Sequence, residues 1–286
     1  MSDTLSEKAY LTLVALSAVS ALGILLAVIL FLFAFGGSAL SADFIFNNWN
    51  HQHIEQAGVL QAIVGTLALA VGVFAVSVPI GVASAIYLTE YARSTWSVRL
   101  IRLAIRNLAG VPSIVYGLFG LALFVQLLAL GTSLLAAILT LSAMTLPWII
   151  SAGEESLKTV PLAYRQGALA LGATPWQTIR HIVLPQSLSG MMTGAILGVS
   201  RAIGETAPLI LVGATFFMNG LPTGPLDKFM ALPYHTFILA TQHADPHAKS
   251  YAAATAIVLI GLVLMVNGVI FYYRYKIRKK TLGEIR

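Results

Sequence analysis

Arg201 and Glu205 stand four residues apart in SRAIGETAPLI, inside one of the long apolar stretches of the chain. An ionised group in such a stretch is costly unless it is paired or hydrated, and the i, i+4 spacing puts both on one helix face. A planar guanidinium fork can grip a tetrahedral oxyanion, and a carboxylate can accept a hydrogen bond from a protonated anion. The pair therefore reads as an anion-pathway site or as a structural ion pair facing a neighbouring helix. Beside it Gly190, Gly194, Gly198 and Ala202 recur every four residues. Small residues at this spacing let two helix backbones approach closely.

Other chemistry is sparse. No HExxH, GxSxG or GxxxxGK[ST] motif occurs, so the chain is expected to be no enzyme and to carry no ATPase of its own. His51 with His53 and His243 with His247 have spacings that a metal accepts, but with no cysteine and few carboxylates nearby neither metal nor cofactor is expected. Glu154 and Glu155 close an apolar stretch, as a solvated helix end or as part of a docking surface.

One polar stretch stands out, RQGALALGATPWQTIRHIVLP from Arg165 to Pro185. Pro161 can open a first helix, where its missing N–H costs nothing, and Gly172 can close it in the left-handed conformation. Thr174, Pro175 and Gln177 form the start signal of a second helix, and Leu184 before Pro185 predicts its end. A capped helical hairpin of this kind is suited to being gripped by a partner; the alternative is a solvated loop that merely connects two spans. Only Arg165, Arg180 and Lys158 could meet phosphates there, so no nucleic acid is expected.

These elements sit in a chain of 286 residues that is 58% hydrophobic and 10% charged, too apolar for a soluble domain. The fold class is all-α integral membrane protein with six transmembrane helices, at about Leu11 to Phe35, Leu60 to Leu88, Leu108 to Leu130, Leu134 to Ile150, Leu188 to Phe217 and Tyr251 to Tyr272. The first is longer than the apolar core of a secretion signal and is read as a retained helix. Fourteen of the seventeen basic residues fall on one side, which makes both termini and the hairpin cytoplasmic.

The arginines between Arg93 and Arg106 alternate with Val98, Leu100, Ile101, Leu103 and Ile105, the pattern of an amphipathic helix at the lipid headgroups. Pro79, Pro112, Pro147 and Pro208 are expected to interrupt spans. Asn47, Asn48, Trp49 and His51 are placed at the outer interface, and Asn219 to Ser250 is read as a long outward loop that caps the pathway, touches an external partner or is simply a connector. The domain reading is 1–57 as an N-terminal helix and extracytoplasmic loop, 58–275 as the membrane core with the hairpin at about 160–185, and 276–286 as a basic cytoplasmic tail.

The hairpin resembles the EAA loop of ABC importer permeases, in which Glu-Ala-Ala is followed after three residues by Gly and after nine more by Ile-x-Leu-Pro. Here that register reads Gln166, Gly167, Ala168, then Gly172, then Ile182, Val183, Leu184 and Pro185. Gln166 and Gly167 depart from the pattern, which removes the leading carboxylate and leaves the hairpin geometry intact. PIGVASAIYLTEYA from Pro79, NLAGVPSIVYGLFG from Asn107 and SRAIGETAPLI extend the resemblance over roughly Val59 to Tyr275.

Together these stretches are similar to the phosphate permeases of that family, and to one of its two subunit types chiefly through Ala207-Pro208-Leu209. The resemblance implies a MetI-like type I ABC importer core with an extra N-terminal helix, in a bacterial cytoplasmic (inner) membrane. It implies as partners a second permease subunit, a cytoplasmic ABC ATPase dimer, an extracytoplasmic phosphate-binding protein, phosphate and membrane lipid. Arg201 and Glu205 match the family's intramembrane pair and become candidate phosphate-pathway residues, while Gln166, Gly167, Ala168, Gly172, Ile182, Leu184 and Pro185 become candidate ATPase-coupling residues. A permease for another small anion, or a secondary transporter without ATP, are the alternatives.

Overall fold

The computed structural model describes residues 3–50 and 54–283. His51 and His53 lie outside the described residues. The helices are α1 (Asp3–Gly36), α2 (Ala42–Phe46), α3 (Leu60–Ile86), α4 (Trp96–Ala109), α5 (Ser113–Gly120), α6 (Leu134–Lys158), α7 (Leu162–Ala170), α8 (Pro175–Thr178), α9 (Leu184–Gly204), α10 (Ala207–Val212), α11 (Leu232–Thr241) and α12 (Ala248–Gly283). No strand is named among the described residues; Ala214 and Phe229 form an isolated bridge.

Among the described residues, five helical runs are long and apolar enough to cross a membrane: Glu7–Ala39, Leu60–Tyr91, Leu134–Lys158, Pro175–Gly204 and Ala248–Lys276. Trp96–Ala109 and Ser113–Leu127 are long and apolar enough only when taken together, and they meet at 104°. Val111 before Pro112 is steered away from the α conformation, so the chain turns there instead of running straight from Leu108. Pro112 stands at that turn, just ahead of α5, and Pro208 lies in the first turn of α10, just after the break at Glu205 and Thr206. Pro79 and Pro147 do sit inside helices.

The core is built around α6, which packs against α3 on one side and α9 on the other. Leu141, Ile149 and Leu157 of α6 are fully buried. By contrast α1 leaves Leu13, Leu16 and Leu22 exposed and meets α12 near its end, where a Cβ on Gly36 would lie 2.5 Å from the Ala254 nitrogen. That end is also tied by the Ser250 hydroxyl, which donates to the Phe35 carbonyl at 2.9 Å.

Two expectations about the loops are corrected. The segment Asn219 to Ser250 is no simple outward connector, since Phe229, Met230, Ala231 and Leu232 are completely buried. Its backbone enters the bundle: the Leu232 N–H donates to Thr66 Oγ1 at 2.9 Å, and a Cβ on Gly65 would fall 2.0 Å from the Met230 carbonyl oxygen. Trp49 is likewise buried, edge-on to His235 with ring centroids 4.4 Å apart. Burial pushes the His235 ring down to about 3, so it stays neutral and packs as an aromatic residue, stacked on Phe216. The apolar run from Phe229 to Ala240 is too short to cross a membrane, so a search for spans passes over it.

Candidate functional site

The hairpin forms through local signals. α7 starts directly after Pro161 and ends in a Schellman motif, with the Ala173 N–H on the Ala168 carbonyl at 3.1 Å and the Gly172 N–H on Leu169 at 3.0 Å. This motif needs the left-handed backbone that Gly172 adopts, at φ +85°. The next helix opens with a reciprocal capping box: Thr174 Oγ1 accepts from the Gln177 N–H at 3.3 Å, and the Gln177 side chain accepts from the Thr174 N–H at 2.8 Å.

That second arm does not stop at Leu184. It runs on through a π-helical turn, Ile179–Val183, into α9, so Pro175–Gly204 is one helical run of 30 residues. Pro185 would ordinarily clash with the carbonyl four residues back and leave it unpaired. Here the backbone has already loosened upstream, with the Leu184 N–H on the Ile179 carbonyl, and Pro185 falls in the first turn of the renewed α-helix.

The candidate coupling residues are divided between the arms. Gln166, Gly167 and Gly172 are exposed, Ala168 is half-buried, and Ile182, Leu184 and Pro185 are half-buried at the base, next to the fully buried Val183. Around the turn the hairpin presents Leu162, Tyr164, Leu169, Leu171 and Trp176 to the outside, Leu171 at 91% exposure. Several large apolar groups on one short polar element mark a contact surface.

What holds the hairpin was not singled out from the sequence. Arg165 meets Glu90 as a bidentate pair, Nη2 to Oε1 at 2.9 Å and Nε to Oε2 at 3.3 Å, and also donates to the carbonyls of Leu157 and Val160. Glu90 lies in the π-helical turn Tyr87–Tyr91 that ends the α3 run. A second pair joins α4 to α6, Arg102 Nε on Glu154 Oε1 at 3.1 Å, and Arg102 also donates to the Leu88 carbonyl. Glu154 is thus a buried tie, whereas Glu155 stays exposed. The signal that could have found Glu90 is its position in YLTEYA, an acid at the end of an apolar run facing several arginines.

At the other end of the 30-residue run, Arg201 occupies the last turn of α9 and Glu205 follows just beyond it in extended conformation, φ −72° and ψ 133°. They are not two residues inside one helix. Even so, Arg201 Nε reaches Glu205 Oε1 at 3.3 Å, across the helix end. The guanidinium also lies 5.2 Å from the Trp148 ring centre, a cation–π contact. Arg201 is 42% exposed and borders a 190 Å³ cavity with Trp148, Ala152, Gly194, Leu197 and Gly198. Because Glu205 is held through Nε, the terminal fork of the guanidinium can serve an oxyanion.

The glycine stripe is the seat of α9 on α6. A Cβ on Gly190 would lie 2.3 Å from Ser156 Oγ, one on Gly194 2.2 Å from Ala152 Cβ, and one on Gly198 3.1 Å from Ile149. Gly194→Leu is accordingly expected to destabilise the protein by about 1–3 kcal/mol. A melting curve in detergent checks this, and an unchanged midpoint would show that the two helices can part freely.

His243 and His247 make contacts close by in the chain. His247 Nδ1 lies 3.4 Å from Asp245 Oδ1, and His243 Nδ1 accepts from the Asp245 N–H at 3.3 Å.

A family model described as "binding-protein-dependent transport system inner membrane component" matches residues 77–279. The chain is 38% identical over 188 residues to the probable ABC transporter permease protein YqgH of Bacillus subtilis, covering 63% of this chain and 60% of that protein. It is 38% identical to the phosphate transport system permease protein PstA 2 of Mycobacterium bovis, with 74% of this chain and 70% of that one covered. PstA 1 of Mycobacterium tuberculosis H37Rv is 36% identical, with 79% and 73% covered. Among solved structures, an inward-facing conformation of the MetNI methionine ABC transporter aligns with a TM-score of 0.58 at 19% identity, over 77% of this chain and 94% of that one. At that identity the likeness speaks for the fold.

Proposed function

The chain belongs to the binding-protein-dependent transport system inner membrane component family, and from that premise we propose that it is the PstA-type permease subunit of an ATP-driven phosphate importer. Its partners on this reading are a PstC-type second permease, a PstB-type ATPase dimer in the cytoplasm and a PstS-type phosphate-binding protein outside. The 58–275 region lines the translocation pathway with the second permease, and the chain leaves ATP hydrolysis to its partner. Both termini and the hairpin are cytoplasmic, which the clustering of basic residues supports.

One observation carries the mechanism. The second arm of the hairpin and Arg201 lie on the same helical run, Pro175–Gly204, of 30 residues or about 45 Å. Movement of an ATPase against Trp176 is passed along that rod to the Arg201–Glu205 end without crossing a loop. Nucleotide acts by favouring one of two arrangements of the helices, since a ligand shifts an equilibrium only by its differential affinity. Bonds from α6 and the Arg165–Glu90 pair keep the handle fixed to the bundle while it moves.

The test is reconstitution of all four kinds of subunit in sealed vesicles, with labelled phosphate outside and ATP within reach of the ATPase. Uptake is expected to require ATP, and Gly172→Val to reduce it about tenfold or more together with retention of the ATPase. A β-branched residue at φ +85° strains the turn by about 1–2 kcal/mol at least. Gly172→Asn, which tolerates that conformation, should retain most of the uptake. Phosphate accumulation by this chain alone, without an ATPase, would overturn the reading.

A further inference from the structure

We propose that α4, with the ends of α3 and α6, forms a binding site for one anionic phospholipid: its phosphate on Arg99 and Arg106, one acyl chain in the groove beneath. The site rests on three observations. The first is the division of α4 into faces. Val98, Arg102, Ile105 and Ala109, spaced by three and four residues, are half-buried and make the seat on the bundle, which the Arg102–Glu154 pair fastens. Leu100, Ile101, Leu103 and Leu108 are left 45–53% exposed on one side. Arg99 and Arg106, seven residues apart, form an exposed strip on the other.

The second is a groove of about 390 Å³ between α4 and the bundle, lined by Ala83, Ser84, Tyr87, Leu88, Ile101, Ile105 and Ile150. Its lining is a hydrocarbon wall with one hydroxymethyl and one phenol, and its rim is open, Tyr87 being 61% and Ile101 47% exposed. Water gains little from such a wall; an alkyl chain fits it. The third is charge. Arg102 is committed to Glu154 and to the Leu88 carbonyl, Arg165 to Glu90, and the nearby acids are thereby taken. Among the described residues Arg93, Arg99 and Arg106 have no ion-pair partner. A helix that turns 104° from the following segment lies across its direction, as one in the plane of the headgroups must, so these cations stand at phosphate level while Ile101 and Ile105 reach into hydrocarbon.

An amphiphile with a negative head satisfies both halves of the site. Free phosphate satisfies only the arginines, and a zwitterionic lipid only the groove. The inference uses the membrane-spanning fold and does not depend on which anion the protein transports.

The test uses the full chain purified with its partner subunits in detergent and supplied with known ratios of phosphatidylglycerol and phosphatidylcholine, followed by native mass spectrometry of the lipids retained. Phosphatidylglycerol is expected to be retained preferentially, and inorganic phosphate at millimolar levels to leave it in place. Arg99→Gln with Arg106→Gln should weaken retention by about fivefold per arginine. Ala83→Phe, which fills the groove and keeps every charge, should weaken it as well. Equal retention of the two lipids, displacement by phosphate alone, or retention indifferent to either variant would each overturn the proposal.

Discussion

Arg165→Met should detach the hairpin from the bundle while leaving the membrane helices assembled. The substitution keeps most of the side chain's length and removes its charge, which leaves Glu90, 11% exposed at its side chain, without its partner. The carbonyls of Leu157 and Val160 lose donors at the same time. Removing one member of a buried pair costs about 3–5 kcal/mol, mostly because the other charge stays behind in a poor solvent. The measurement is limited proteolysis across residues 160–180, together with ATP-dependent uptake. Rapid cleavage there and loss of uptake are expected. Glu90→Gln combined with Arg165→Gln strands no charge and should recover part of the stability. Cleavage and uptake both at wild-type level in Arg165→Met would mean that the pair is ornamental and the hairpin is held by Val183 and its apolar neighbours.

Arg201→Ala is expected to reduce phosphate uptake by at least about a hundredfold, from the loss of two hydrogen bonds to a charged ligand at about 1.5–3 kcal/mol each. The neighbouring residues tell a pathway role from a structural one. If Arg201 meets the anion, Arg201→Lys keeps charge without the fork and should fall between the two, and Glu205→Gln should lower the melting midpoint as much as Arg201→Ala while leaving more transport. If the pair only ties the end of α9, both substitutions lose stability and transport in parallel. Uptake unchanged in Arg201→Ala, with the complex intact, ends the pathway reading.

Much of this was legible in the residues. Pro161, Gly172, Thr174 and Gln177 act within one or two turns, through backbone conformations and caps that neighbours alone determine, so the hairpin could be read from a short string. The glycine stripe from Gly190 to Gly198 was equally local in its pattern, though not in its partner, since nothing in a single string says that Ser156, Ala152 and Ile149 lie opposite. The apolar runs gave the spans for the same reason.

What escaped depends on contacts between distant residues. Pro185 looked like a stop because a proline rule treats the helix as purely α, and the π turn before it relaxes that rule. Glu90 and Arg165 are 75 residues apart, so their pairing has no local trace. Trp49 was assigned to the interface by its residue type, yet it packs against Phe216 and against His235, which lies in a short apolar run within Asn219 to Ser250 that is no span of its own.

The π turn at Ile179–Val183 also sets a phase. Such a turn holds one residue more than the α-helix would use, and in a helix of 3.6 residues per turn one residue is an azimuth of about 100°. The compass bearing of Arg201 relative to Trp176 is therefore fixed by a single surplus residue at the proline, much as the cut of a key fixes where its teeth fall.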